Sequence, residues 1–508
     1  MNRHTGLVAD ISAAVRQFYD RRVPFRIFHG STNSTRHNVT QKQHIVDTSK
    51  LCNVLQVDTA RKTALVEPNV PMDRLVATTL KYGLVPPVVM EFPGITAGGG
   101  YAGTAGESSS FKHGYFDKTI NWVEIVLGNG EVVRASQSDK EDLFQGAAGA
   151  VGTLGITTLM ELQLIEAKPF VRATYHPVTD INGALATIKD LINQPNIDYV
   201  DGIMFSKSLG AIVSGQMVSS PDSPGRIQYF SRPWDPWFYL HVQDSINRGH
   251  GQSVTETIPL AEYLFRYDRG GFWVGAAAFK YFNFIPFNRL TRWFLDDFLH
   301  TRVLYRALHA SRQSMRFVVQ DVAMPFESAP DFVDYTHHLF GIYPLWLCPL
   351  RQSAAPTFHP HNTQQAKNKD GSLAPLINIG LWGDGPKNHE DFVTLNRDLE
   401  DKLRILGGTK WFYAQSYYTE DEFWQIYDKK WYEALRTKYH ATYLPTVHQK
   451  ISVDVNRDRK ELQSNWRLRL LRVWPFAGLW GICKAIVSGD WTLPKSTRLA
   501  ALTVAETK

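Results

Sequence analysis

Between Pro93 and Phe116 the chain reads PGITAGGGYAGTAGESSSFKHGYF, and six glycines fall between Gly94 and Gly106. Average usage of about 7% would place roughly one there. A stretch this permissive is poor material for a long helix or a packed strand, because glycine costs about 1 kcal/mol against alanine in a helix and brings no side chain. It predicts backbone positions with positive φ, or a close approach of main chain to a ligand. Successive N–H groups in such turns converge into anion-binding concavities. Ser108, Ser109, Ser110, Lys112 and His113 add donors directly afterwards. The bland alternative is a glycine-rich surface loop with no ligand.

The run contains a literal G-x-G-x-x-G at Gly98, Gly100 and Gly103, with Glu124 downstream. A Rossmann fingerprint must follow a strand and open a helix, and Thr104–Thr119, with Gly106, three serines and Gly114, is unsuited to one. The match is therefore read as accidental. Two other segments share the small-residue character. Phe25-Arg26-Ile27-Phe28 runs into His29-Gly30-Ser31-Thr32-Asn33-Ser34-Thr35, a second phosphate-loop candidate, and Gly146–Ile156 leads into a strand.

Around these loops the pattern is α+β. Val8, Ile11, Val15 and Phe18 predict an amphipathic N-terminal helix. Val54–Asp58 with Thr63–Glu67, and Trp122–Leu127 with Glu131–Ala135 around Gly128-Asn129-Gly130, predict hairpins. Pro71 opens a helix through Leu80, with Gly83 where it stops, and Ile156–Ile165 is a further strand. Antiparallel hairpins exclude a regular βαβ series.

With 508 residues, 44% hydrophobic and 20% charged, the chain is neither disordered nor collagen-like. Three scattered cysteines (Cys52, Cys348, Cys483) give no disulfide framework and no metal-ligand spacing, which favours a reduced, intracellular setting. The N-terminus has no secretory signal. The net charge of +6 is modest and gives no reason to expect nucleic acid.

The three small-residue segments, in this order, resemble the p-cresol methylhydroxylase-type (vanillyl-alcohol oxidase) FAD-binding domain. Within that superfamily VEPNVPMDRL, GTAGESSSFKHGYF, VEIVLGNGEVVRAS and DLFQGAAGAVGTLGI are similar to the Δ24-sterol reductases. WDPWFYLHVQ, ETIPLAEYLFRYDRGGFW, GIYPLWLCPL and WFYAQSYYTEDEFWQIYD extend the resemblance over roughly residues 45–440. It implies an α+β flavoenzyme: a two-subdomain FAD domain over 1–170 and an α+β substrate domain over 171–456 whose part after Gly408 returns to the flavin. A basic, tryptophan-rich tail occupies 457–508. By position, Gly30, Ser31, Thr32, Asn33 and Ser34 would contact the FAD pyrophosphate. Gly99, Gly103, Thr104, Ala105, Gly106, Glu107, Ser108, Ser109, Ser110, Lys112, His113, Gly114 and Phe116 would line the cofactor, and Thr153, Gly155 and Ile156 would approach the flavin. The first loop, HGSTNST, departs from the family pattern. Without a histidine inside the glycine turn, non-covalent FAD is expected.

The resemblance further implies NADPH as electron donor and an apolar sterol or isoprenoid as substrate. Its proton donor would come from His113 or Tyr413, with Asp384, Lys112 and Glu124 read as a turn residue, a phosphate partner and a buried polar anchor. The alternatives are an alcohol or lactone oxidase or a side-chain isomerase of the same fold, and a non-catalytic lipid-binding protein. Aromatics of the substrate domain, with Lys280, Arg289 and Arg292 in Ala276–Phe298, suit a bulky apolar substrate and contact with a membrane. The tail carries ten basic residues against four acids, the whole net charge of the chain. Its WRLRLLRVWPFAGLWGICKAIVSGDW stretch is expected to lie on anionic lipid in place of the family's N-terminal anchor, placing the protein in the cytoplasm or peripherally on the endoplasmic reticulum.

Overall fold

The computed structural model describes residues 2–30, 44–221, 227–311, 313, 316–364, 367–368, 370–464 and 473–492. Its architecture is α+β. The first sheet is antiparallel, in the order Val54–Asp58, Thr63–Val66, Gly155–Gln163, Ile120–Leu127, Val132–Ser136. Both hairpins form where the turn chemistry places them, and Gly130 takes φ +86° at the second. Beside this sheet Arg26–Phe28 pairs in parallel with Ile45–Asp47. The N-terminal helix Asn2–Asp20 buries Val8, Ile11 and Val15 on one stripe.

The second sheet has eight strands, ordered Val254–Pro259, Phe170–Val178, Leu209–Val218, Tyr199–Ser206, Leu345–Leu350, Leu376–Asp384, Phe317–Pro325, Thr409–Lys410. Side chains alternate across it, as the strand period of two requires. Val318, Val322, Leu347, Ile379 and Leu381 face one core, under the helices Ile181–Ile192 and Ala329–Leu339. Val319, Ala323, Trp346, Cys348 and Trp382 face another, which is largely aromatic. The same alternation turns Asp321 and Asn378 toward the aromatic side.

After the last short strand the chain returns to the first sheet. Phe412, Tyr418, Phe423, Tyr432, Leu435 and Ile451 belong to the core beneath it. Each such buried side chain contributes about 1.5–3 kcal/mol of transfer free energy, so this return is an integral part of the first layer.

The glycine run differs from the positive-φ expectation. Ala97–Ala102 is a six-residue helix capped by Thr96, whose side chain accepts from the Gly99 N–H at 3.1 Å. Within Pro93–Phe116 only Thr104 and Gly114 have positive φ. Close approach to protein explains the glycines instead. A Cβ on Gly98 would sit 2.6 Å from Pro68 Cβ, one on Gly100 2.4 Å from Met90 Cε, and one on Gly106 2.8 Å from Leu350 Cδ2. The helix follows a loop rather than a strand, so the Rossmann reading fails here as well. Glu124 is a half-buried anchor: it accepts from Thr158 Oγ1 at 2.6 Å and bonds His4 Nε2 at 3.2 Å.

Candidate active site

A cavity of about 660 Å³ lies where the two sheets meet, within the range of small-molecule and cofactor sites. Its walls come from all three small-residue segments and from the aromatic face of the second sheet. Gly30, Gly99, Gly103, Ala105, Gly106, Glu107, Gly155 and Ile156 line it, and Tyr413 does so from the returning segment.

The remaining sequence-derived site residues stand elsewhere. Ser31, Thr32, Asn33 and Ser34 lie outside the described residues. Thr104, Ser108, Ser109, Ser110, Lys112, His113, Gly114, Phe116 and Thr153 are not in the cavity wall. Their polar groups fasten the glycine segment to its surroundings. Ser109 Oγ donates to Pro87 O at 2.8 Å, Ser110 Oγ accepts from the Glu107 N–H at 2.9 Å, and Lys112 pairs with Asp198 at 2.9 Å. Val200 N donates to Ser108 O and Arg351 N to Ser110 O, so this turn joins the glycine segment to two strands of the second sheet. Thr104 O accepts from Trp411 Nε1 at 2.9 Å. Thr153 Oγ1 accepts from Tyr432 OH at 2.7 Å. His113 is half-buried, and burial together with Lys112 lowers its pKa. Asp384 pairs with Lys280 at the exposed end of its strand.

The cavity has two chemically different ends. Arg26, His29, Gly30, Thr48, Asn69 and Lys450 form a polar, basic end. Burial and the nearby Arg457 lower the Arg26 pKa, and Arg26 pairs with no carboxylate among the described residues. Lys450 donates to Val151 O. The other end is aromatic (Phe272, Tyr305, Trp346, Trp382, Trp411) and holds three carboxyl groups, Glu91, Glu107 and Asp321. Burial raises the pKa of all three.

Asp321 is the sharpest of these groups. Its Oδ2 accepts from Tyr413 OH at 2.5 Å and its Oδ1 from Asn378 Nδ2 at 3.2 Å. Trp382 Nε1 donates to the Tyr413 oxygen at 3.3 Å. Burial pushes the Asp321 carboxyl up to about 6 despite the Tyr413 bond, and the Tyr413 phenol is held well above its ordinary value by burial and the Asp321 charge. Sequence reasoning missed Asp321 and Asn378. The signal was present as a lone carboxylate in the otherwise uncharged strand FVVQDVAMP.

Glu91 belongs to a second buried network. Arg266 Nη2 lies 2.7 Å from Glu91 Oε1 and 3.0 Å from Asp201 Oδ1, and Tyr267 OH donates to Asp201 Oδ2 at 2.6 Å. It links the segment before the glycine run to the second sheet.

A dinucleotide flavin fits this site by the chemistry of its donors. The basic end suits a pyrophosphate, the aromatic end suits a flat ring, and two buried cavity-wall atoms, Glu91 Oε2 and Asn378 Oδ1, lack hydrogen-bond partners within the protein. A family model described as an FAD binding domain matches residues 6–136. Fold, site and match together define an FAD-dependent oxidoreductase.

Similarity to known proteins extends well beyond this domain. The Δ24-sterol reductase of Homo sapiens is 28% identical over 455 residues, covering 88% of this chain and 86% of its own. A Δ24-sterol reductase homolog from Caenorhabditis elegans is 27% identical, covering 80% and 78%. The Δ24-sterol reductase of Arabidopsis thaliana is 28% identical, covering 78% and 74%. Over most of its length the chain is thus similar to Δ24-sterol reductases from animals and a plant.

Proposed function

We propose that this protein reduces an isolated carbon–carbon double bond of Δ24 type in a sterol or related isoprenoid. FAD is held without a covalent bond and NADPH is the electron donor. The observation that carries this reading is the Tyr413–Asp321 pair, set in an aromatic wall of the same cavity that the glycine segments line.

An isolated alkene has no carbonyl through which hydride attack could be activated, so a proton must reach one carbon as hydride reaches the other. FAD, which the basic end at Arg26 and Lys450 and the aromatic wall would hold, would supply the hydride, with NADPH as the source of its two electrons. Everything else falls to the chain. With Asp321 protonated, the pair holds a transferable proton at the cavity wall, and Tyr413 is neutral at all working pH values. Loss of that proton to the substrate leaves a charge that the Asn378 amide and the Trp382 N–H stand ready to stabilise. Trp346, Trp382 and Phe272 keep water from the cation-like carbon. Proton uptake from solvent restores the pair. His113, outside the cavity wall, takes no part.

The basic tail and the exposed apolar helix Phe476–Ser488 support peripheral attachment to the endoplasmic reticulum membrane. Among the described residues no helix is long and apolar enough to cross a bilayer. The deciding experiment is anaerobic titration of the purified protein with NADPH, followed by a Δ24-sterol. Bleaching by NADPH and reoxidation by the sterol are expected. Bleaching by an alcohol, with reoxidation by oxygen alone, would replace this reading with an oxidase.

A further inference from the structure

Two segments far apart in sequence carry most of the large hydrophobic side chains exposed among the described residues. Of the 18 large hydrophobic side chains exposed among the described residues, twelve lie in Phe284–Phe294 and Val473–Val487. The segments touch. Trp474 Nε1 donates to Tyr281 O at 2.8 Å, Phe284 and Trp474 pack edge to face at 6.3 Å, and the Gly478 N–H donates to Tyr281 OH at 3.2 Å. Phe294, Leu290, Trp480 and Val487 are 77%, 69%, 44% and 83% exposed. A soluble monomer rarely leaves so much contiguous apolar surface in water.

The same face adjoins the aromatic end of the cavity. Helix Phe476–Ser488 packs on helix Thr301–Ala310, where a Cβ on Gly481 would lie 2.7 Å from Ala307 O. Tyr305 and Arg306 of that helix line the cavity, and Arg306, 42% exposed, pairs with Asp490. At Arg306 the cavity therefore reaches the surface beside the apolar face. Cations interleave with the aromatics: Lys484 lies 4.7 Å from the Trp480 ring, Arg292 lies 5.2 Å from the Phe287 ring, and Arg289 and Lys280 flank them.

We infer that Phe284–Phe294 and Val473–Val487 form one docking face for a bilayer containing anionic lipid, which presses the Arg306 mouth of the cavity against the membrane so that an apolar substrate enters directly from it. The choice of a bilayer over a protein partner rests on the pairing of aromatics with cations, which suits the lipid headgroup boundary. The entry route rests on the sterol reading above; the docking itself does not.

The test uses the full chain with flavin bound, and flotation with phosphatidylcholine vesicles with and without phosphatidylserine. Wild type should float with both, more fully with the anionic lipid, and lose the excess in high salt. Phe294→Asp with Val487→Asp should weaken binding about a hundredfold, since each exchange removes one apolar side chain from the interface. Melting temperature, flavin content and turnover of detergent-dispersed sterol should stay unchanged, while turnover of vesicle-borne sterol falls. Should that pair melt early, Leu290→Asp alone replaces it. Variants that float like wild type, or a wild type that does not float, overturn the proposal. So does light scattering that shows a wild-type dimer dispersed by the substitutions, which would make the face a contact between copies. A protein that floats but reduces no sterol leaves the docking face standing and removes the sterol reading; sterol reduction without flotation does the reverse.

Discussion

Asp321→Asn separates stability from catalysis at one atom. The Asp321 carboxyl titrates at about 6, against 3.8 for the free side chain, because burial disfavours its charge. That difference corresponds to about 3 kcal/mol held against the charged form. The folded protein binds this proton more tightly than the unfolded chain does. Its favourable contribution is complete below about pH 4 and is lost as pH rises through 6. Asparagine cannot ionise, yet keeps an oxygen to accept from Tyr413. The variant should therefore match wild type near pH 4 and exceed it by up to about 3 kcal/mol at pH 8, read from urea midpoints on the cofactor-free protein. Catalysis should move the other way. Bleaching by NADPH should persist within a few-fold, while reoxidation by a Δ24-sterol should slow by about 10²- to 10⁴-fold, the usual worth of a positioned acid. Wild-type reoxidation should decline with rising pH along a limb set by this group, and the variant should lack that limb. Tyr413→Phe gives an independent check, because its hydrogen bond lowers the Asp321 pKa, so the limb of that variant should move to higher pH. An Asp321→Asn enzyme with full sterol turnover, or with an unchanged limb, would refute the assignment of the proton to this pair.

Four further substitutions test the frame around the site and the chain beyond it. His4 is held between Glu67 at 2.9 Å and Glu124 at 3.2 Å, and bonds to Glu124 and Glu67 raise its pKa from 6.5 to about 9. The stability this confers is complete below pH 6.5 and disappears as pH rises through 9. Wild type should lose about 3 kcal/mol between pH 6 and 10 in a urea series, and His4→Gln should lose little over the same range. Arg266→Met should cost about 3–5 kcal/mol by stranding Glu91 and Asp201, and adding Glu91→Gln with Asp201→Asn should recover most of it; denaturant midpoints decide. Gly98→Ala, whose Cβ would meet Pro68 Cβ at 2.6 Å, should lose about 1–3 kcal/mol. Gly6→Ala, with nothing within 4 Å, should gain up to about 1 kcal/mol in a melting comparison.

What was legible in the sequence was what local chemistry decides. The hairpin at Gly128-Asn129-Gly130 needed only its turn residues, and the N-terminal helix only its apolar stripe. Glycine clustering located the cavity wall, because close backbone approach admits no other residue. It could not say that the approach is to Pro68, Met90 and Leu350 rather than to a ligand, since those partners are fixed by tertiary packing. The serines after the run illustrate the same limit. Ser108, Ser109 and Ser110 carry donors suited to a cofactor, yet the carbonyls of Ser108 and Ser110 accept from Val200 and Arg351, 92 and 241 residues further along. The phenol at Tyr413 was found by resemblance, but Asp321, 92 residues earlier, was not. A lone carboxylate in a strand becomes visible as a site only when the alternation of that strand is known to aim it at the aromatic face.

That dependence on tertiary packing has a consequence for cofactor loading. The cavity wall is assembled mainly from residues 26–30, 91–107, 147–157 and 305–413, with Thr48, Pro68, Asn69, Ile125, Phe272 and Lys450 completing it. None of these stretches builds the site alone, and the buried contacts that hold them together include Arg266 to Glu91, Trp411 to Thr104 and Tyr432 to Thr153. A flavin spanning both ends would bind only the assembled form, and so would stabilise the docking of one sheet against the other by RT ln(1 + [L]/Kd), about 2.7 kcal/mol at a hundredfold excess over Kd. Replacing Trp411 by Phe removes the Nε1 bond to Thr104 while keeping the aromatic wall. It should then weaken flavin retention more than it lowers the melting temperature of the cofactor-free protein, because the bond acts at the seam that the cofactor itself must close.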